Sequence, residues 1–339
     1  MNDERACRHG IAGINRHEGL SADGPRCLVV MYHYVHPADS LLLGTLPALT
    51  PGDFGSQLDE LCAVMEPIDW PRLFAWTQHR AAIPERCFLA TFDDGLSDHF
   101  HHVVPLLQKR GLRGTFFVPG SVLTGQHLLS AHAIHLLLAA LGDEEFASAI
   151  NQKLSAYTPR ENWWVKVRDA DARALYHYET PVRARLKYLL TIVLPTALRD
   201  VAVEEMFAQH IGSPSRWAKK WYMQWEQVKE LESLGHTVGG HGFAHESYSR
   251  MSEAEIRQDV ARVDAVLREG LGPDLRPFSY PYGGVNKLAQ SLCGQAGFAH
   301  AFTTESRAMA EPFDLLALPR VDTIHVATHI TKESTCPQR

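Results

Sequence analysis

Residues 87–95, which read Cys-Phe-Leu-Ala-Thr-Phe-Asp-Asp-Gly, decide the fold of this chain. The first six form an apolar run rich in β-forming residues, and this pattern predicts a buried strand. Asp93 and Asp94 follow at the C-terminal end of the strand, and Gly95 permits a sharp turn. Side chains alternate along a strand, so the two carboxylates can share a direction only where the backbone turns. We interpret one carboxylate as a cation ligand and the other as a neighbouring base; a solvated turn is the simpler alternative for an isolated Asp-Asp-Gly.

The stretches that flank this strand show the same alternation of strand and helix. Residues 27–34 and 114–118 are predicted strands, and residues 98–110 carry apolar side chains at mixed helical spacing. A strand, a helix and a strand joined by short links indicate a parallel sheet. His33 lies at the end of the first of these strands, where α/β barrels keep their sites. It is therefore a candidate substrate contact, and a structural hydrogen bond is the alternative.

A long segment without strand signals divides the chain. Residues 124–220 contain helical stretches, whereas four more strands are predicted after them, at residues 237–240, 277–282, 299–303 and 315–321. We therefore predict an α/β fold split by a helical insertion. Its parts are a polar lead-in at residues 1–25, a split barrel at 26–123 and 221–325, the insertion at 124–220 and a weakly patterned tail at 326–339.

Three tryptophans lie near the end of the predicted insertion. Trp217, Trp221 and Trp225 are spaced four residues apart, so they share one face if a single helix runs that far. Core packing of the insertion is the simpler interpretation. An aromatic platform for a sugar or an acyl chain is the alternative.

The composition of the chain limits the classes of protein to which it can belong. The chain has 339 residues, 45% of them hydrophobic, which allows one large globular barrel. Its net charge of −6 offers no electrostatic basis for binding nucleic acid or an anionic membrane. Residues 1–25 hold no apolar core of a secretory signal, and no apolar run is long enough to span a membrane. The six cysteines form no Cys-x-x-Cys pair, so we expect free thiols and a cytoplasmic protein.

A pair of histidines supplies the second half of a candidate site. His241 and His245 stand four residues apart on a turn that follows the predicted strand at residues 237–240. Two imidazoles so placed can converge on one cation. Together with the carboxylates at the end of another strand they predict a site of two histidines and a carboxylate, with positions left open for water and substrate. This composition distinguishes a catalytic site from a closed structural one.

On these motifs the chain resembles the polysaccharide deacetylase family, also known as the NodB-homology or carbohydrate esterase family 4 group. The resemblance covers roughly residues 27–122 and 225–322. The segments that carry it are Thr-Phe-Asp-Asp-Gly at 91–95, His-Gly-Phe-Ala-His at 241–245 and Tyr-Pro-Tyr-Gly at 280–283, with Tyr-His near the first strand and residues 114–118 in agreement.

The resemblance implies a fold and a set of roles. The fold is a distorted (β/α)7 barrel, and the activity is removal of N-acyl groups from amino sugars. Asp93 would be the general base, and the backbone N–H of Tyr282 would help to hold the oxyanion, with Pro281 beside it as a substrate contact. Asp94, His241 and His245 would bind one divalent metal ion, for which Zn²⁺ is preferred and Co²⁺, Ni²⁺ or Mn²⁺ are alternatives.

The sequence departs from the family pattern at two positions. Ser279 replaces an arginine that steadies the catalytic aspartate in many members, and Arg320 is the candidate replacement, grouped with the substrate-site residues; a surface salt bridge is the alternative. The late Leu-x-His motif that supplies the acid is not clearly present. His325 is the candidate acid, and His33 and His300 are the alternatives.

We therefore expect a metal-dependent hydrolase that acts on an N-acetylated sugar or glycan precursor. A cyclic-amide hydrolase of the allantoinase-like branch is a second hypothesis, because it uses the same fold. A sugar-binding barrel without catalysis is the third. The intact Asp-Asp-Gly and His-x-x-x-His segments favour the first.

Overall fold

A single parallel sheet organises the chain in the computed structural model, which describes residues 25–40, 48–125, 127–177 and 179–334. Eight strands are present in these ranges: β1 (Arg26–Tyr32), β2 (Glu66–Pro67), β3 (Arg86–Phe92), β4 (Gly114–Val118), β5 (Thr237–Gly240), β6 (Pro277–Ser279), β7 (His300–Phe302) and β8 (Val321–Asp322). Their order is β7-β6-β5-β4-β3-β1-β8, and β2 pairs with β3 outside this path. The predicted α/β fold with a parallel sheet is confirmed.

The segment before β8 draws the two ends of the sheet together. Phe302 of β7 forms a parallel bridge with Leu318, and three residues later Val321 pairs with Val30 of β1. Residues 318–322 therefore touch both edges, and the sheet curls into a distorted barrel. The predicted strand at 315–321 is only partly regular, because its first residues pair with β7 and its last with β1.

Helices surround the sheet and fill the long central segment. Those of the barrel are α1 (Pro51–Val64), α2 (Trp70–His79), α3 (Val104–Lys109), α4 (Gly120–Thr124), α10 (Trp225–Ser233), α11 (Glu253–Leu271), α12 (Lys287–Gln295) and α13 (Val326–Ser334). Those of the central segment are α5 (Ser130–Tyr157), α6 (Asp169–Leu175), α7 (Pro181–Tyr188), α8 (Thr196–His210) and α9 (Pro214–Trp221). The predicted helical character of residues 124–220 agrees with this description.

Local sequence explains where the helices begin. The Thr50 hydroxyl accepts a hydrogen bond from the Asp53 N–H at the start of α1, and Asp53 in turn caps the Thr50 N–H. Ser252 and Glu255 form an equivalent reciprocal pair at the start of α11. Such pairs satisfy N–H groups that have no partner in the first turn of a helix.

The strands are buried on both faces, as expected of a parallel sheet covered by helices. Cys27, Val29, Cys87 and Leu89 pack with Trp70, Leu73 and Trp76 of α2 in one cluster. The alternate residues of the same strands pack against α1 and α3 in the main core. Cys27, Cys87 and Cys293 are buried free thiols, and Cys62 is an exposed one.

The structure describes two stretches whose secondary structure the sequence left open. Residues 326–334 form helix α13 where a weakly patterned tail was predicted. Trp217 and Trp221 lie on α9, but that helix ends at Trp221, and Trp225 begins α10. Tyr222 at the end of α9 is extended, so the three indoles do not share one helical face.

The predictions for residues 1–24 and 335–339 lie outside the described residues. Among the helices that the structure describes, none has the length and apolar character that a bilayer span requires.

Candidate active site

The two carboxylates lie where β3 ends and the backbone turns. The Asp93 N–H donates to the Tyr32 carbonyl at 3.0 Å, which extends the pairing with β1 by one residue. Asp94 then has a positive φ of 77°, and Gly95 continues the turn with a φ of 65°. A side chain on Gly95 would lie 2.8 Å from the Val118 side chain, so glycine is required here. Both aspartates are buried, and the turn determines where their carboxylates lie.

Asp94, His241 and His245 form one compact group. Asp94 Oδ1 lies 3.3 Å from His241 Nε2 and 3.1 Å from His245 Nε2. All three residues are buried, and their candidate ligand atoms lie within 4.8 Å of one another. The structure therefore brings together the three residues that the sequence suggested as ligands.

The loop that carries the histidines is held by its own contacts. Asp259 of α11 accepts hydrogen bonds from the N–H groups of Phe243 at 2.7 Å and Ala244 at 2.8 Å. His241 Nδ1 donates to the Ser279 carbonyl at 2.8 Å, which leaves Nε2 with a free lone pair toward Asp94. His245 has a positive φ of 57°, which is uncommon for a residue other than glycine. Such backbone outliers cluster at functional sites.

The donor set of this group fits a divalent cation. Asp94 Oδ1 is buried and has no hydrogen-bond partner among the described residues, although two imidazole nitrogens face it. Burial alone would raise the pKa of Asp94, but His245 and His132 outweigh it and hold that pKa well below its usual range. A buried, ionised carboxylate oxygen without a hydrogen bond needs a compensating positive charge nearby. A cation bound between Asp94 and the two imidazoles would supply that charge. Nitrogen and oxygen ligands in this number suit Zn²⁺ and similar ions.

Arg320 fixes the other carboxylate, Asp93. The guanidinium donates from Nη1 to Oδ1 and from Nη2 to Oδ2, each at 2.7 Å, so the pair is bidentate. Nη2 also donates to Ser279 Oγ at 2.8 Å, and Nε donates to the Thr303 carbonyl at 3.0 Å. This placement agrees with Arg320 as the replacement for the missing family arginine. Because Arg320 is buried and each guanidinium nitrogen already has a protein partner, it is not exposed to a substrate.

The charges around Asp93 keep it ionised. Burial would raise its pKa, but Arg320, His241 and His33 outweigh that effect and lower the pKa to about 2. Asp93 is therefore an anion throughout the neutral range.

The other predicted residues occupy different surroundings. His33 Nε2 lies 3.9 Å from Asp93 Oδ2, and 37% of the His33 side chain is exposed. The Tyr282 ring is half exposed, and its centroid lies 5.1 Å from that of His245, next to buried Pro281. Tyr282 also has a positive φ of 57°. His33 and Tyr282 therefore border the exposed side of the group, whereas Pro281 is buried behind Tyr282.

Two histidines proposed as acids are placed unfavourably. His325 lies exposed on a short 3₁₀ turn after β8, and no described hydrogen bond or ion pair joins it to either aspartate. His300 is buried, accepts a hydrogen bond from Trp70 Nε1 at 3.1 Å and contacts Thr77 Oγ1 at 2.7 Å. Burial lowers its pKa to about 4. His33, by contrast, lies close to Asp93 and reaches solvent.

Sequence reasoning missed His132 of α5. Its Nε2 lies 3.0 Å from Asp94 Oδ2, and its Nδ1 lies 2.5 Å from the Tyr222 hydroxyl. No spacing links position 132 to the motifs at 91–95 or 241–245. The only signal was a polar residue at the start of an apolar helical run, which includes Ala133, Ile134 and Leu136.

A cavity adjoins the group on the side of the central helical segment. Its volume is about 310 Å³, near the lower end of the range for small-molecule pockets. The barrel contributes His245, Tyr282 and Phe243, and the helical segment contributes Ser130, Thr196 and Asp200. A second cavity of about 300 Å³ shares His127, Ser130 and Asp200 with it. Space for a ligand therefore continues from the group along the helical segment.

Comparison with known proteins places these features in context. A family model described as polysaccharide deacetylase matches residues 80–152 and 206–301, so it includes both ends of the central helical segment. YxkH of Bacillus subtilis, a protein named after the same family, is 26% identical over 102 residues. That match covers 29% of this chain and only 36% of the relative's length.

Solved structures share the fold. IcaB from Ammonifex degensii has a TM-score of 0.57 at 20% identity, over 92% of this chain and 98% of that one. The Streptococcus pyogenes deacetylase PplD in complex with acetate has a TM-score of 0.55 at 13% identity, over 88% and 93% of the two chains. At such identities the likeness concerns the fold alone.

Proposed function

The chain belongs to the polysaccharide deacetylase family, and from this premise we propose that it is a hydrolase that removes an N-acetyl or other N-acyl group from an amino sugar or glycan precursor. The observation that carries this proposal is the pairing of two differently held carboxylates. Asp93 is clamped by Arg320, and Asp94 turns an unpartnered oxygen toward two imidazoles. One carboxylate is thus arranged as a base and its neighbour as a ligand.

Asp94, His241 and His245 would hold the divalent ion, with Zn²⁺ preferred. When bound, such an ion polarises the amide carbonyl and lowers the pKa of a water molecule. The tautomer of His241 suits this task because Ser279 accepts its Nδ1 proton.

Asp93 would accept the proton of the attacking water. Its two hydrogen bonds to Arg320 fix the plane of the carboxylate, so its orientation does not depend on the substrate. The amine of an amide leaves only after protonation, so the reaction also requires an acid. We assign this role to His33 instead of His325, because His33 lies 3.9 Å from Asp93 and is partly exposed. The backbone N–H of Tyr282 remains the proposed oxyanion donor, since its turn borders His245.

The cavity beside His245 would receive the remainder of the substrate. Its lining combines the aromatic rings of Phe243 and Tyr282 with the hydroxyl and carboxylate groups of Ser130, Thr196 and Asp200. A sugar ring presents both apolar C–H faces and hydroxyl groups, so this mixture suits it. The central helical segment would therefore influence which sugar is accepted.

Acetate release from N-acetylated glycans tests the proposal. We expect activity in protein loaded with Zn²⁺, loss of activity with EDTA, and recovery on returning the ion. Full activity in EDTA, with no metal bound, would contradict it. The same preparation assayed with cyclic amides addresses the allantoinase-like alternative, and glycan binding without acetate release would support the non-catalytic barrel.

A further inference from the structure

We propose that His132 is a positioning residue that restricts Asp94 to a single oxygen for binding a cation. His132 belongs to α5 of the central helical segment, outside the three candidate ligands. The inference rests on the proposed function only in that a divalent cation binds at Asp94, His241 and His245.

A buried chain of hydrogen bonds connects α5 to Asp94. His132 Nε2 lies 3.0 Å from Asp94 Oδ2. His132 Nδ1 lies 2.5 Å from the Tyr222 hydroxyl, and the Leu129 N–H donates to that same hydroxyl at 3.1 Å. The side chains of His132 and Tyr222 are each 1% exposed, so water does not compete for these contacts.

The direction of each hydrogen bond follows from the chemistry of the groups. An ionised carboxylate only accepts, so His132 Nε2 carries the proton and donates to Asp94 Oδ2. In a neutral imidazole the other nitrogen, Nδ1, then accepts, and the Tyr222 hydroxyl is its donor. The Leu129 N–H supplies a hydrogen bond to the Tyr222 oxygen. Every member of the chain therefore has a complementary partner, which holds the imidazole in one orientation.

This series of hydrogen bonds gives the two oxygens of Asp94 different roles. Oδ2 accepts from His132, whereas Oδ1 faces His241 and His245 and is buried without a hydrogen-bond partner in the part of the chain that the structure describes. If His132 were absent, Asp94 could rotate or offer both oxygens to the same ion. A carboxylate restricted to one oxygen leaves more positions free for water and substrate, as a catalytic site requires.

His135 provides a matched control on the same helix. It lies one turn beyond His132, and its Nδ1 is 2.7 Å from the Tyr34 hydroxyl. It therefore resembles His132 in residue type, helix and phenolic partner, but it makes no described hydrogen bond to Asp94.

The test measures cation binding in the full chain and does not depend on turnover. Affinity for Zn²⁺ is measured by competition with a chromogenic chelator, and the absorption spectrum of the Co²⁺ form reports the coordination number. We expect His132→Leu to weaken Zn²⁺ binding about 10- to 100-fold, the usual effect of losing a partner of a metal ligand. We also expect its Co²⁺ spectrum to shift toward higher coordination. His132→Gln, which keeps an N–H donor, should recover much of the affinity, and His135→Leu should bind like wild type.

Tyr222→Phe guards against a variant that does not fold, because it leaves both His132 and Asp94 in place and removes only the hydroxyl that donates to Nδ1 and accepts from the Leu129 N–H. We expect it to weaken Zn²⁺ binding by less than His132→Leu. Binding within twofold of wild type in both His132→Leu and Tyr222→Phe would overturn the inference. A fall in Co²⁺ coordination number in His132→Leu would also overturn it, since His132 would then be a ligand. A wild-type protein that binds no divalent cation would instead refute the metal site of the proposed function, before any variant is compared.

Discussion

The strand ends of the barrel and the central helical segment meet at the same carboxylate but differ in how they reach it. His241 and His245 come from one short loop after β5, and both lie within 3.3 Å of Asp94 Oδ1. His132 comes from α5 and contacts Asp94 Oδ2. The role proposed for the two barrel histidines was predicted from their spacing in the sequence. The role proposed for His132 depends on where helix α5 packs.

The largest expected effect lies on the barrel side. Asp93→Asn removes the proposed base while keeping the shape of the side chain. We expect acetate release to fall about 10²- to 10⁴-fold, the usual contribution of a positioned base. Zn²⁺ binding should change little, because the ligand group is untouched. An Asp93→Asn variant with wild-type acetate release would remove the contrast between a catalytic barrel and a supporting helical segment.

Two buried arginines sharpen the contrast further. Arg320 pairs with Asp93 in the barrel, and Arg199 of α8 pairs with Glu246 and Asp200. Each replacement by methionine removes the arginine partner of a carboxylate, and breaking a fully buried pair such as Arg320 and Asp93 typically costs about 3–5 kcal/mol of stability. The cost at Arg199 should be smaller, because the side chains of Asp200 and Glu246 are 39% and 19% exposed. Arg199 is therefore a control for the loss of a buried guanidinium.

The two arginine variants should differ in chemistry. Arg320→Met should lower kcat even toward a small acetyl ester, because Asp93 loses its orientation, whereas Arg199→Met should keep most of that activity at a temperature where it is folded. Urea unfolding gives the stabilities and ester hydrolysis gives the activities. Equal losses of ester activity in both variants would contradict the division of roles.

The dependence of stability on pH distinguishes a buried structural histidine of the barrel, His300, from the histidines of the candidate site. Burial lowers the pKa of His300 to about 4 in the folded state, against about 6.5 in an unfolded chain. The unfolded chain binds more protons between these values, so the stability contributed by neutral His300 is complete above pH 6.5. It is lost progressively as the pH falls toward 4. At roughly 1.4 kcal/mol per pKa unit the contribution is about 3 kcal/mol at most.

We expect His300→Gln to reduce the difference in unfolding free energy between pH 7 and pH 4.5. Urea titrations at the two pH values measure it. His325→Gln is the control, because His325 is exposed and should leave the difference unchanged. An unchanged difference in His300→Gln would show that other groups govern the acid sensitivity of the fold.

The smallest expected effect concerns the helical segment itself. Thr196 is exposed and lines the 310 Å³ cavity, so Thr196→Trp should fill part of it. We expect kcat/KM for an N-acetylated oligosaccharide to fall about tenfold, a loss of about 1.4 kcal/mol of binding. Hydrolysis of a small acetyl ester should be retained. Val201→Trp is the matched control, because Val201 lies on the same helix, is 49% exposed and is not part of the cavity lining. An equal effect in both variants would exclude a role for the cavity.

The sequence predicted those features of the fold and the candidate site that depend on short, local segments. The strand before Asp93, the turn at Gly95 and the four-residue spacing of His241 and His245 all follow from local rules. A parallel sheet also places the ends of its strands on one side, so convergence of the two segments was predictable. A choice of acid among His325, His33 and His300 could not be made in this way, because position along the chain says nothing about exposure or distance to Asp93. The spacing of the tryptophans left open whether one helix runs through Trp225, and the extended backbone at Tyr222 ends α9 before that residue.

The family, the parallel α/β fold and the four candidate residues of the two central motifs were predictable from the sequence alone, because each depends on side-chain type and local spacing. The sequence also suggested Arg320 as the partner of Asp93, but the three-dimensional packing was needed to distinguish this role from a surface salt bridge. The same packing shows which histidine lies beside Asp93 and what holds the second oxygen of Asp94. Arg320 and Asp93 are 227 positions apart, and His132 and Asp94 are 38 positions apart. Such contacts depend on how the segment before β8 and helix α5 pack against the sheet. Burial then strengthens each hydrogen bond, because water does not compete for it.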